Sequence, residues 1–196
     1  MTTEFVLIRH GITDWNVEGR MQGISDTELN DTGKQQAQAL GDAMRGENWD
    51  VIASSPLSRA LNTAIPVAEA LGFKENDIIL DERLMERHYG VGEGVVYADL
   101  QIQYPDGVWD GMETPEDLVH RAISTLDDYR ERFPDGRIVI VSHGTWINHA
   151  IGSLSNGRVG PGITPILNTS RTYVSHDGDG WHVGDVAVVD HLASLV

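Results

Sequence analysis

The sequence predicts an α/β fold built around buried parallel strands, and three observations predict it. Residues Phe5-Val6-Leu7-Ile8 and Ile138-Val139-Ile140-Val141 are unbroken apolar runs rather than alternating ones, the pattern of parallel strands covered on both faces. Both runs stop abruptly at a polar turn, Arg9-His10-Gly11 in the first and Ser142-His143-Gly144 in the second. Amphipathic helical patterns fall between them, and open α/β sheets place ligands at the carboxyl ends of their strands. With 196 residues, 40% of them hydrophobic, the chain is most simply one domain spanning 1–196.

Composition narrows the function classes. A formal charge of −16 speaks against a nucleic-acid or anionic-membrane partner, because such surfaces select stripes of Lys and Arg that are missing here. An anionic substrate would need a local cationic pocket working against the overall field. The absence of cysteine excludes disulfides, thiolate catalysis and cysteine-ligated metal. No apolar run is long enough to span a bilayer, and Met1-Thr2-Thr3-Glu4 leads straight into a strand with no room for a signal peptide, so a cytoplasmic protein is expected.

The first strand delivers Arg9 and His10 to its carboxyl end. A neutral imidazole is a nucleophile, a guanidinium is a cationic fork for phosphate oxygens, and Gly11 lets the backbone turn beside both. Residues 12–29 form a long polar loop with glycines at 19 and 23, in which Asn16 and Gln22 offer amide donors. Asn30, Asp31 or Thr32 caps the next helix, which carries Ala37, Leu40, Ala43 and Met44 at helical spacing through Gly41. A second strand over 49–54 runs into Ser55 as N-cap and Pro56 as first helical residue, which puts Arg59 in the first turn. An arginine at a helix amino terminus opposes the macrodipole unless it is aimed at an anion. Pro66 is expected to kink or interrupt that helix, and Gly72 to end it.

A short strand near 78–80 leads to a charged, glycine-rich loop over 81–94, which reads as an active-site rim. Thr114-Pro115-Glu116-Asp117 opens an amphipathic helix to about Phe133, with Leu118, Ala122, Leu126 and Tyr129 buried. The strand ending at Ser142-His143-Gly144 repeats the logic of the first. If the two strands are neighbours, two imidazoles share one edge of the sheet. A helix over 145–154 follows, and residues 172–183 read as a hairpin about an Asp-Gly turn. His149, His176, His182 and His191 receive no catalytic role.

The ordered set of Arg9-His10-Gly11, Arg20-Met21-Gln22-Gly23, Ser54-Ser55-Pro56-Leu57-Ser58-Arg59-Ala60, Leu84-Met85-Glu86 and Ser142-His143-Gly144 resembles the histidine phosphatase superfamily, also called the phosphoglycerate mutase-like family. The resemblance implies a three-layer α/β/α sandwich with a mostly parallel central sheet. It also implies that His10 is transiently phosphorylated, that Arg9, Arg59 and His143 bind the transferring phosphoryl group, and that Glu86 is the proton donor. Asn16, Gln22, Gly23 and Gly144 would assist in substrate binding. Two arginines and a second histidine can neutralise the charge of phosphoryl transfer without a metal ion or other cofactor.

Within that family the expected activity is hydrolysis of a small phosphorylated metabolite. The string Glu86-Arg87-His88-Tyr89-Gly90 resembles the cofactor-dependent mutases, but residues 95–113 contain no Lys or Arg and do contain Asp99, Asp106, Asp110 and Glu113. A doubly charged glycerate is expected to meet repulsion there. An inactive phospho-ligand-binding module is the remaining reading. A homo-oligomer stays open, since an edge strand or helix face can pair without a sequence signature.

Overall fold

In the computed structural model, which describes residues 2–195, the two apolar runs lie within β1 (Thr3–Arg9) and β4 (Arg137–Ser142). These strands are parallel neighbours, with Leu7 opposite Ile140 and Arg9 opposite Ser142. Beyond β4 come β2 (Val51–Ser54) and the short β3 (Ile79–Leu80), both parallel. On the other flank of β1, β5 (Arg171–Asp177) and β6 (Gly180–Val183) form an antiparallel hairpin whose register pairs Asp177 with Gly180. The order β3-β2-β4-β1-β5-β6 therefore makes a mostly parallel sheet with β1 and β4 at its centre.

Because side chains alternate across a strand, each central strand feeds two cores. Val6, Ile8, Val139 and Val141 pack under α2 (Asp31–Met44) and α3 (Ser58–Leu71), meeting Leu40, Met44, Ala64 and Val67. Phe5, Leu7, Ile138 and Ile140 face α5 (Pro115–Arg132) and α6 (Gly144–Leu154), meeting Leu118, Leu126, Trp146 and Ile147. The result is an α/β/α sandwich. Each fully buried aliphatic side chain contributes on the order of 1.5–3 kcal/mol, which is why the sheet centre sets a rigid platform for whatever its strands carry at their ends.

Several local expectations change. Helix α3 starts two residues after Pro56, with Leu57 at the N-cap and no side-chain cap. Ser55 turns instead toward β4, its N–H donating to Val141 O at 3.0 Å. Pro66 leaves α3 unbroken, because α2 and α3 press together beside it: a Cβ on Gly41 would lie 2.6 Å from Pro66 O. Gly72 ends the helix at φ 87°, as the sequence predicts. Ala43 is exposed while Ala37, Leu40 and Met44 are buried. The loop over 12–29 contains the short α1 (Asp14–Val17), capped by Thr13, and residues 97–103 form α4 (Tyr97–Gln103).

Candidate active site

The parallel register of β1 and β4 brings their terminal histidines together. His10 N–H donates to Ser142 O at 3.0 Å, and the His10 and His143 rings lie 5.1 Å apart. Both side chains are buried. His10 Nδ1 is 2.7 Å from Gly11 O, and a carbonyl can only accept, so Nδ1 carries the proton and Nε2 keeps its lone pair. Burial, and then the charges of Arg59 and Arg9, hold the His10 pKa well below its usual value. The imidazole is neutral at pH 7.

His143 is the complement of His10. Its Nε2 lies 2.8 Å from Ser55 Oγ, and the same hydroxyl oxygen accepts Leu57 N–H at 3.3 Å. The Ser55 hydroxyl can pair with Nε2 as donor or as acceptor, and the donating arrangement is the one that puts the His143 proton on Nδ1. Nδ1 is buried without a hydrogen-bond partner among the described residues. Burial, followed by Arg59 and His10, depresses this pKa too.

Two arginines close the polar side. Arg59, fully buried, donates from Nη2 to Gly23 O at 2.6 Å and from Nη1 to Ser25 O at 2.8 Å. Burial lowers its pKa to about 10, so it remains a cation. Arg9 donates from Nη1 to Ile166 O at 2.6 Å, and its pKa is lowered mainly by burial. The Nε atoms of both arginines are buried without partners among the described residues. The charges of Arg9 and Arg59 both act on His10, and each guanidinium keeps a buried N–H with no acceptor among the described residues, which costs about 1–3 kcal/mol until an acceptor arrives.

Glu86 sits against the amino terminus of α6. Its Oε1 accepts N–H from Trp146 at 3.0 Å and from Arg87 at 2.9 Å, while Oε2 accepts, among the described residues, only Thr145 N–H at 3.1 Å. The charge of Glu86 acts on both Arg9 and Arg59. Oε2 is thus the oxygen with capacity left for a proton.

The four further residues expected at the site have distinct surroundings. Gln22 is buried, its Oε1 accepting from Thr13 and Thr27 hydroxyls at 3.0 and 2.6 Å, which orients its amide donors. Asn16 Oδ1 accepts from Thr13 N–H and from Asn168 Nδ2 at 3.2 and 3.3 Å. Gly23 adopts φ +54° and gives its carbonyl to Arg59, and a Cβ there would collide with Glu93. Gly144 makes room for a guanidinium, since a Cβ would approach Arg9 Nε to 3.3 Å.

Sequence reasoning missed the residues that hold these groups in place. Ser55 Oγ pairs with His143 Nε2, Thr63 Oγ1 accepts Gly11 N–H at 2.9 Å, and Asn168 Nδ2 donates to His10 O at 3.0 Å. Glu93 accepts from Ser25 N–H, Ser25 Oγ–H and Tyr89 N–H. Ser55 stands out in the sequence as a helix cap and Glu93 as an acid amid the glycines of the rim, whereas nothing marks Thr63 or Asn168.

The family model described as histidine phosphatase superfamily (branch 1) matches residues 5–188. The chain belongs to the histidine phosphatase superfamily. It is 32% identical over 194 residues to the uncharacterized phosphatase PhoE of Bacillus subtilis, covering 99% of both chains. Its fold matches Bacillus stearothermophilus YhfR at a TM-score of 0.88, with 28% identity over 97% of this chain and 99% of that one. A phosphoserine phosphatase mutant from Entamoeba histolytica, solved in complex with phosphoserine, matches at 0.84 with 29% identity over 97% and 99%.

A cleft of about 420 Å³ opens beside the Glu86 loop, walled by Tyr89, Tyr97, Tyr104 and Trp109 with Arg87 as its charged residue. Of the acids expected to repel a glycerate, Asp99, Asp106 and Asp110 do not line it, whereas Glu113 lines a second cleft of about 390 Å³ together with Glu86, His88 and Arg121.

Proposed function

We propose that the chain is a metal-independent phosphatase that hydrolyses a small phosphomonoester through a phosphohistidine on His10. The observation that carries this reading is the neutral His10 with its Nε2 lone pair available beside the unpartnered donors of Arg9, Arg59 and His143. The His10 Nε2 lone pair attacks phosphorus in line with the ester oxygen, and the P–O bond breaks. Arg9, Arg59 and His143 Nδ1–H hold the three equatorial oxygens as charge develops on them, aided by Asn16 and Gln22. Glu86 passes a proton from Oε2 to the departing alkoxide. In the second half-reaction the Glu86 carboxylate takes a proton from water, the water oxygen attacks phosphorus, and the N–P bond breaks to release phosphate and restore neutral His10.

Metal independence is part of the same proposal, because two fixed guanidinium groups supply the charge that a divalent cation would otherwise bring. Phosphate release from p-nitrophenyl phosphate should persist in excess EDTA. Loss of turnover on chelation, restored by added metal, would contradict it. Glu86→Gln should lower kcat/KM, which reports phosphoryl transfer to His10 and not the later hydrolysis, by roughly 10²- to 10⁴-fold on alkyl esters and much less on the nitrophenyl ester, whose leaving group departs with little help from a proton. Equal losses on both would assign the acid elsewhere.

A mutase is the second reading, favoured by Arg87 in the cleft wall, where a glycerate carboxylate could find a cation. A coupled enolase assay separates the two. Hydrolysis should exceed any interconversion of 3- and 2-phosphoglycerate, even with 2,3-bisphosphoglycerate supplied. Bisphosphoglycerate-dependent turnover faster than phosphate release would reverse the order.

A further inference from the structure

Glu86 lies in a stretch of chain outside any helix or strand, yet a proton donor must keep one aim. The carbonyls leading up to it are held by side chains from the scaffold. Ser142 Oγ–H donates to Leu84 O at 2.8 Å, and Trp146 Nε1–H donates to Arg83 O at 2.9 Å. Three further bonds come from one residue of α5: Arg121 Nη1 donates to Arg83 O at 2.8 Å and to Met85 O at 2.7 Å, and Nη2 donates to Glu86 O at 3.3 Å.

Glu113 completes the clasp. Its Oε1 accepts Arg121 Nε–H at 3.0 Å and its Oε2 accepts from Nη2 at 2.8 Å, so all five N–H groups of the guanidinium are used. The same Oε2 accepts His88 N–H at 3.2 Å, the Glu113 carbonyl accepts Arg87 Nε–H at 2.8 Å, and Glu113 N–H donates to His88 O at 2.8 Å. The chain is thus gripped on both sides of Glu86, before it by Arg121 and after it by Glu113. The grip is anchored in the core, because Leu118 and Ala122 on the same helix are fully buried. Since Glu113 pairs with the charge of Arg121, the guanidinium serves Glu86 as a fixed fork rather than as a field. We propose that Arg121, clasped by Glu113, is a positioning residue for the proton-donating step, fixing the 83–86 backbone so that the Glu86 carboxyl meets the leaving oxygen. The inference rests on the reading of Glu86 as the general acid and adds to it the pair that aims it.

Arg121→Lys keeps the charge and loses the planar fork, since an ammonium cannot reach the carbonyls and the carboxylate together. A misaimed proton donor slows the reaction only where the leaving group needs the proton. In Arg121→Lys, kcat/KM should therefore fall roughly 10- to 100-fold on propyl phosphate and stay within about threefold on p-nitrophenyl phosphate. Glu113→Gln, which leaves Arg121 its three carbonyls, should fold and show the same split in smaller measure; if Arg121→Lys does not fold, this variant decides alone. In a Glu86→Gln background, the Arg121 or Glu113 substitution should change kcat/KM on propyl phosphate by no more than about twofold, because nothing is left to aim. Equal losses on both esters, no loss on either, or an undiminished further loss in the Glu86→Gln background would make the clasp a general support of the fold and overturn the proposal. If Glu86→Gln itself spares propyl phosphate, the general-acid reading has failed first and the proposal falls with it.

Discussion

At the scale of single residues the site is a matter of where protons sit. Gly11 O fixes the His10 proton on Nδ1, and a Ser55 hydroxyl that donates to His143 Nε2 puts that proton on Nδ1 as well, in which case one ring presents a lone pair and the other a donor. Partners that set a tautomer typically matter 10- to 100-fold to the group they orient. Ser55→Ala should therefore lower kcat roughly tenfold with KM little changed, and ¹⁵N shifts of the His143 ring should move toward a mixture of tautomers. Unchanged ring shifts would mean that Ser55 only packs. His10, Arg59 and His143 stand out in the sequence because charged or polar groups at strand and helix ends are conspicuous, whereas Glu86, in a loop, is singled out by the family resemblance alone. The role of Ser55 was not legible, because a serine before a proline reads first as a helix cap, and its real partner lies 88 positions along the chain.

At the scale of elements, Glu93 ties two loops into one wall. Its carboxylate accepts from Ile24 and Ser25 on one side and from Tyr89 on the other, and the carbonyls of Gly23 and Ser25 in turn hold Arg59. Glu93→Gln exchanges one acceptor oxygen for a donor, which weakens this strap by about 1–2 kcal/mol. The Arg59 guanidinium should then lose its fixed aim, and kcat/KM should fall about tenfold on alkyl and nitrophenyl esters alike. That equality separates it from Glu86→Gln; a loss confined to alkyl esters would make Glu93 a proton donor instead. Such straps join loops distant in sequence, so periodicity cannot reveal them. Helix α5 was readable because Thr114 caps it and Leu118, Ala122, Leu126 and Tyr129 recur on one face, whereas the shorter α4 buries only Leu100 and leaves Ile102 80% exposed.

At the scale of the whole molecule, the layered core was legible from β1 and β4, whose unbroken apolar runs demand cover on both faces. What their register brings together has a thermodynamic consequence. The pKa values of His10, His143 and His191 are all depressed, chiefly by burial, so below pH 6.5 the unfolded chain binds protons that the folded chain refuses. Stability is fully present above pH 6.5 and should decline as pH falls toward 5, by about 1.4 kcal/mol per pH unit for each histidine that stays neutral. Urea unfolding midpoints at pH 7, 6 and 5 check this. A flat profile would mean that these imidazoles titrate normally when folded.

The most direct measurement is to trap the phosphoryl group on the enzyme. Incubating the Glu86→Gln protein with ³²P-labelled p-nitrophenyl phosphate, whose leaving group departs with little help from a proton, and quenching rapidly keeps formation of the phosphoenzyme observable while slowing its hydrolysis. The expected result is about one acid-labile, base-stable phosphoryl group per chain, mapped by mass spectrometry to His10, and none in a folded His10→Ala protein. Label retained at the same level after His10→Ala, or mapped to another residue, would contradict the assignment of His10 as the nucleophile.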